Sequence, residues 1–474
     1  MRNFDLIIGG STVRKSPKTA IKSPYDGATV GKVVFGEKDD FDHALQSACE
    51  SFEIMSIMPA HDRARMLRRI SAIIAERKPE LGEIIRDEAG KPITLALREV
   101  DRAVSTFALA ADEALRINGS YLPLDNTAVG DGRTGLYRRF PLGPILGITP
   151  FNFPLNLVCH KVAPAIAAGN SIVIKPSSQT PMSSLVLQQI VANAGLPSGV
   201  LNVMPCPSNV ASKFVSDPRI RMITFTGSAE VGWGLKQRAA KARVTLELGG
   251  NAATIVEPDC DIEDAARRLA VGAFSNAGQI CISVQRIYVH ESVLDYFIEL
   301  FLHVIDHDIK CGDPADPEVI CGPMIDKTNA DRIEEWIKEA RENGAKVQRF
   351  GKRNGNVVPP TVLTKVDPRL RISDYEAFAP VAIVDSYKSF DEAIAKVNDT
   401  RYGLQAGIFT NDAAKLMRAF REIEVGGIIH NDTSNYRSDP MPYGGTKDSG
   451  LGREGLKYAI EEMTEPKLLV IRES

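Results

Sequence analysis

Apolar and polar positions change their period several times along the 474-residue chain, and each change predicts a different element. The first 35 residues alternate short apolar runs with Gly, Pro and Asp turns, the pattern of edge strands or a small ribbon. From Lys38 the period becomes helical, with Phe41, Ala44, Leu45, Ala48 and Phe52 on one stripe; further helices are predicted over about 60–78, 80–90 and 97–116. Residues 117–141 lose that period and collect turn formers, which predicts a hairpin leaving the domain.

From ILGITPFNFPLN onward, strands and helices alternate. A helix is expected near 156–168, a strand over 171–176, a helix near 182–194, then strands in VLNVMP and MITFTG. After LELGG the alternation restarts with strand AATIVE, helix 261–275, strand RIYVH, helices 291–307 and 327–343, and a strand pair around PVAIVD. This rhythm predicts an α/β protein with two open parallel-sheet domains and a small β arm. The expected boundaries are 1–117 with 142–247 for the first domain, 248–443 for the second, and 118–141 with 444–474 for the arm and C-terminal tail.

Length supports this division, because 474 residues exceed the usual size of one core. A net charge of −3 gives no electrostatic argument for nucleic acid or a membrane surface. No stretch approaches the roughly 20 apolar residues of a membrane span. The run Leu6–Ile8 is far too short for a signal-peptide core. Seven scattered cysteines without a CxxC pattern suggest reduced thiols and neither a zinc cluster nor a disulfide framework. A cytoplasmic protein is expected.

Several residues carry candidate chemistry. Cys281 follows the small residues Asn276, Ala277 and Gly278. It reads either as a buried small hydrophobe or as a nucleophile whose pKa neighbouring N–H groups lower. Glu247 precedes two glycines that let the chain turn sharply. Between apolar neighbours its pKa would rise towards neutrality, as suits a general base. Asn152 is a neutral donor in a Pro-rich loop. Gly227 and Ser228 end an apolar strand and begin a helix, where free N–H groups favour a phosphate, although the GxGxxG pattern is absent. Lys175 ends a buried-looking strand, where ligands of parallel sheets bind.

Taken together, Phe274, Asn276, Gly278, Gln279, Cys281 and Arg286 resemble the active-site cysteine motif of the aldehyde dehydrogenase superfamily. LELGG resembles its general-base motif, PFNFPL its oxyanion loop and EAFAP (Glu376–Pro380) its cofactor loop. The resemblance covers most of the chain. It implies the aldehyde dehydrogenase fold, an NAD or NADP cofactor, no metal, and a homodimer or homotetramer pairing through the arm. By resemblance, Cys281 is the nucleophile, Glu247 the base and Asn152 the oxyanion donor. Phe151, Lys175, Ser178, Gly227, Ser228, Leu248, Glu376 and Phe378 are implied cofactor contacts. Ser178 stands where NAD-preferring members often carry a glutamate, so NADP should be tolerated. Tyr375 and Ala379 depart from the EIFGP pattern. Arg102, His160 and Arg437 resemble positions that hold the anionic group of small substrates, although Ile280 replaces an arginine seen in relatives that take phosphorylated or phosphonate aldehydes. The implied reaction is oxidation of a short polar aldehyde, such as lactaldehyde or a semialdehyde, to its acid. The alternatives are a CoA-acylating enzyme, which lacks the glutamate, and a catalytically silent structural protein on the same fold.

Overall fold

The structure, a computed structural model, describes residues 1–473. Two α/β bodies and a β arm organise the chain. The first sheet has six strands in the order Leu201–Val203, Ile172–Lys175, Ile145–Ile148, Met222–Thr226, Arg243–Glu247 and Gly450–Leu451. Its first five strands are parallel and the last is antiparallel. Alternate residues face opposite cores: Ile172 and Ile174 enter one apolar cluster, while Val173 enters the other. Burial on both faces explains why Ile145–Ile148 and Ile172–Lys175 read as short apolar runs, whereas Met222–Thr226 and Arg243–Glu247 alternate apolar residues with polar ones.

The helices on this body follow from equally local causes. Asn156–Ala168 is buried along its whole length, so its sequence carries no polar stripe. The long helix expected at 97–116 runs over Ile93–Ala114. It starts early because Pro92 occupies the N-cap and the Ile93 N–H is satisfied by the Pro314 carbonyl at 2.8 Å. That outside acceptor overrides the weak helix preference of Ile93 and Thr94. The helix expected at 291–307 is also divided. A short 3₁₀ turn, Glu291–Val293, precedes the α-helix Leu294–Asp308, and the His290 side chain accepts from the Ser292 N–H.

The second sheet has seven strands in the order Lys346–Arg349, Thr361–Thr364, Val381–Tyr387, Val284–His290, Ala252–Val256, Gln405–Phe409 and Gly427–His430. Only its first strand is antiparallel. The chain crosses from the first sheet to the second between Glu247 and Ala252. A three-stranded antiparallel arm joins Thr464–Arg472, Arg133–Pro141 and Ser120–Pro123. Residues 444–473 are therefore shared. Gly450–Leu451 edges the first sheet and Leu456 and Ile460 enter its core, while Thr464–Arg472 builds the arm. No helix among the described residues is long and apolar enough to cross a membrane.

Ile148, Lys175, Thr226 and Glu247 all end parallel strands of the first sheet. Ligands of open α/β sheets bind beyond these carboxyl ends. Two cavities of about 510 Å³ each open there, and both are lined by Pro150, Phe151, Thr226, Gly227 and Ser228.

Candidate active site

Cys281 lies in a turn between the helix Ile262–Phe274 and the strand Val284–His290. Three successive residues, Asn276, Ala277 and Gly278, have φ of 53°, 56° and 66°. Left-handed backbone is costly for Asn276 and Ala277, so the surroundings must impose it. At Gly278 a Cβ would lie 2.1 Å from the Ala379 carbonyl oxygen, which excludes any side chain. Gln279 locks the turn: its amide donates to the Asn276 and Pro323 carbonyls at 3.1 and 3.2 Å and accepts from the Ile325 N–H at 2.9 Å.

No helix begins at Cys281, and the expected lowering of its pKa does not occur. Burial pushes the thiol up to about 12, against the hydrogen bond with Tyr443, whose hydroxyl is 2.9 Å from Sγ. Tyr443 is itself held well above the usual phenol range by burial and by Cys281. It therefore keeps its proton and can donate to a thiolate.

Glu247 and Asn152 line the same cavity as Cys281. Neither carboxylate oxygen of Glu247 has a hydrogen-bond partner among the described residues. Burial, reinforced by the charge of Glu454, raises its pKa well above the ordinary carboxylate value. One Asn152 amide N–H donates to the Gln279 carbonyl at 2.9 Å, which leaves its second N–H for a ligand. The backbone N–H of Cys281 has no acceptor among the described residues. The Asn152 loop is fixed from below by Glu99, which accepts from the N–H groups of Leu155 and Asn156, each at 3.0 Å.

Below the cavity lies a charge network that motif reading does not reveal. Lys161 is buried on the helix Asn156–Ala168 and reaches Thr226 Oγ1 at 2.8 Å and Glu454 at 3.1 Å. The other Glu454 oxygen accepts from Arg437 at 2.9 Å. Burial would raise the Glu454 carboxyl, but the charges of Lys161 and Arg437 hold it at about 2. Arg437 is not the surface residue its loop of turn formers suggests. Its side chain is 8% exposed, lines the cavity and stacks over the Tyr443 ring at 3.7 Å. Its Nε has no partner among the described residues.

Arg102 also lines the cavity, and Asp439 Oδ1 accepts from its Nη2 at 2.6 Å. His160 does not line the cavity, and this corrects the expectation that it contacts substrate. It is buried, with Nε2 3.0 Å from the same Asp439 oxygen. Burial and the charge of Arg437 lower its pKa, so the neutral ring donates through Nε2. Burial would raise Asp439, but His160 and Arg102 hold it well below the usual carboxylate range.

The expected cofactor residues divide between the cavities. Leu248, Glu376 and Phe378 line the one containing Cys281; Lys175 and Ser178 line the other; Phe151, Gly227 and Ser228 line both. Burial raises Glu376 to about 7 although it accepts from the Gly250 N–H at 3.0 Å. The Phe378 ring meets Phe151 edge to face at 5.8 Å, from a backbone at φ 46°. Gly227 needs a correction: its N–H is spent on the Glu247 carbonyl at 3.0 Å. The donors left for a phosphate are the N–H groups after it, at the start of the helix Ala229–Arg238, whose N-cap Ser228 makes no side-chain cap. An elongated cofactor fits this arrangement, since the two cavities share lining at Phe151 and Thr226–Ser228 and a Cβ at Gly227 would strike the Phe225 ring at 2.6 Å.

Comparisons with known proteins agree with this geometry. The model of the aldehyde dehydrogenase family matches residues 12–469. A 3-sulfolactaldehyde dehydrogenase of Priestia aryabhattai is 41% identical over 472 residues, covering 99% of this chain and 98% of the relative. The crystal structure of aldehyde dehydrogenase 21 from Physcomitrella patens, in complex with the reaction product succinate, superposes with a TM-score of 0.97 at 40% identity, covering 100% of this chain and 98% of the other. That of the glyceraldehyde-3-phosphate dehydrogenase GapN from Methanocaldococcus jannaschii, complexed with NADP, gives 0.92 at 38% identity, with 97% and 100% covered. The chain belongs to the aldehyde dehydrogenase family and is an NAD(P)-dependent oxidoreductase.

Proposed function

We propose that this enzyme oxidises a short aldehyde carrying a compact anion or hydroxyl at its far end, and that water releases the product as a carboxylic acid. The observation that carries this reading is the buried, unpartnered Nε of Arg437 in a cavity that Arg102 also lines. A buried donor without an acceptor costs about 1–3 kcal/mol, and an anionic substrate group would remove that cost. Ile280 and Ile282, on either side of Cys281, offer no charge, and Arg332 of the same cavity donates to the Ala377 carbonyl at 2.8 Å, so a doubly charged phosphate is held less well. The sulfonate named for one relative and the succinate bound to another are compact anions of this kind.

The Cys281 thiol gives its proton by way of water to a free carboxylate oxygen of Glu247, which passes it to solvent, and the resulting thiolate adds to the carbonyl carbon while Tyr443 donates to sulfur. The free N–H of the Asn152 amide and the Cys281 backbone N–H meet the oxygen that becomes negative, each such donor contributing about 2.7–4 kcal/mol. NAD(P)⁺, when bound, supplies the hydride acceptor; Lys175, Ser178, Glu376 and Phe378 would hold it. The acyl group then stands on Sγ as a thioester. Glu247, with both oxygens free of protein partners, takes a proton from the attacking water. A CoA-acylating reaction has no use for such a base.

Aldehyde-dependent growth of the reduced-nicotinamide absorbance, with and without CoA, tests the reaction. Lactaldehyde, succinic semialdehyde and hexanal test the substrate class. Turnover that requires CoA, or a preference for hexanal, would contradict the proposal.

Two further points belong to this reading. Leu468, Leu469, Val470 and Ile471 are exposed on the arm, which supports a homodimer or homotetramer. The seven cysteines are free thiols, which supports a cytoplasmic location.

A further inference from the structure

The cavity beside Lys175 and Ser178 contains a cation that the cofactor motifs do not include. Arg238, in the last turn of the helix Ala229–Arg238, lines it together with Lys175. Its Nε donates to the Gly234 carbonyl of its own helix at 3.2 Å, which orients the guanidinium, and it makes no ion pair among the described residues. Lys175 is buried and likewise lacks a carboxylate partner among the described residues. Ser177, Ser178, Ser208 and Ser212 supply hydroxyls, and the described residues lining the cavity include no aspartate or glutamate. Two uncompensated cations and these hydroxyls around one space is an arrangement made for more negative charge than a ribose hydroxyl carries. The chain as a whole has more acidic than basic residues, 60 against 57, so an acid-free cavity is a local feature.

We infer that Arg238 is a specificity-determining residue that, with Lys175, grips the 2′-phosphate of the cofactor's adenosine and makes NADP the preferred cofactor. A phosphomonoester carries a charge of about −1.5 to −2 near pH 7, enough to engage both cations, whereas the 2′-hydroxyl of NAD gives Arg238 nothing to bind. The fork of Arg238 suits a phosphate bidentately, and a lysine at this position would act only as a point charge. The inference rests on the cofactor reading of this cavity.

Calorimetric titration of the intact enzyme with adenosine 2′,5′-bisphosphate and with adenosine 5′-monophosphate separates the two assignments, since neither probe needs turnover. The wild type should bind the bisphosphate at least tenfold more tightly. Arg238→Gln should reduce that ratio tenfold or more while leaving the monophosphate within about twofold, and Arg238→Lys should fall between. The same substitution should lower kcat/KM for NADP and spare NAD. An unchanged ratio, or equal weakening of both nucleotides, would overturn the role of Arg238. Failure of the wild type to bind either nucleotide would instead overturn the cofactor reading itself.

Discussion

The two cavities are equal in volume and opposite in electrostatic construction. Around Cys281 and Glu247 most charges are paired: half-buried Arg102 with Asp439, and buried Arg437 and Lys161 with Glu454, while Arg332 donates to the Ala377 carbonyl at 2.8 Å. What remains unpaired there is a short set of atoms, namely both oxygens of Glu247, Nε of Arg437 and Oδ1 of Asn152. Around Lys175 the cations are uncompensated and the rim is open, with Arg238 exposed. The first cavity is a preorganised site for chemistry, in which the free oxygens of Glu247 face the water to be activated and the free Nε of Arg437 an anionic group. The second is a binding site, in which net charge selects the ligand.

Removing the nucleophile is the strongest way to break the first half of this comparison. Cys281→Ala should lower turnover by at least about 10⁴-fold, while affinity for adenosine 5′-monophosphate stays within about twofold. Turnover near the wild-type level would sink the assignment of Cys281.

Glu454→Gln tests whether compensation matters in the buried network. Lys161 and Arg437 would face each other with a neutral partner, and loss of one member of a buried pair costs about 3–5 kcal/mol. Urea denaturation should show that loss, and Ser178→Glu in the open cavity should change stability by less than about 0.5 kcal/mol. Equal effects at the two positions would contradict the contrast. The pH dependence has a definite sign. Glu454 titrates below its ordinary value in the folded protein, so its contribution is complete above pH 4.5 and is lost as pH falls towards about 2.

Smaller effects are expected at the substrate end. Arg102→Ala or Arg437→Ala should raise KM for the anionic aldehyde about tenfold or more, since charge-assisted hydrogen bonds contribute roughly 1.5–3 kcal/mol. Asp439→Asn should raise that KM in the same direction without lowering kcat, because Asp439 holds Arg102 and the buried His160 and does not itself line the cavity. Hexanal oxidation should be indifferent to Arg102→Ala and Asp439→Asn, whereas Arg437→Ala should slow it as well, because Arg437 also stacks on Tyr443 and pairs with the buried Glu454. Ser178→Glu should weaken NADP selectively, by about tenfold, through repulsion of the 2′-phosphate. An equal loss for NAD would show that Ser178 does not face the ribose.

Much of this site is legible in the sequence, because Cys281, Glu247, Asn152, Lys175 and Glu376 each stand in a short local motif. The strands that carry Lys175, Thr226 and Glu247 are legible too: IVIK is a short apolar run, and MITFT and RVTLE alternate apolar residues with polar ones. The supporting network is not. Arg102 and Asp439 meet across 337 residues, and Lys161 and Glu454 across 293. No local pattern signals that Lys161, inside NLVCHKVAPAIAA, points inward to a carboxylate; the one available sign is that the whole segment lacks a polar face. Gly450–Leu451 is too short to show a period, so its place on the edge of the first sheet is hidden. His160 is misread because proximity to the Asn152 loop in sequence does not reveal that its ring is buried against Asp439 instead of lining the cavity. The pKa of Cys281 is misjudged because glycine and small residues suggest open N–H donors, whereas the folded turn buries the thiol.

The central claim is that Cys281 carries the acyl group and Glu247 releases it to water. Glu247→Gln, mixed with NADP and succinic semialdehyde and quenched after the first turnover, tests it by mass spectrometry. The predicted result is one equivalent of reduced cofactor per site, a stall, and a succinyl mass added to the peptide containing Cys281. Continued steady turnover with no acyl adduct on that peptide would contradict it.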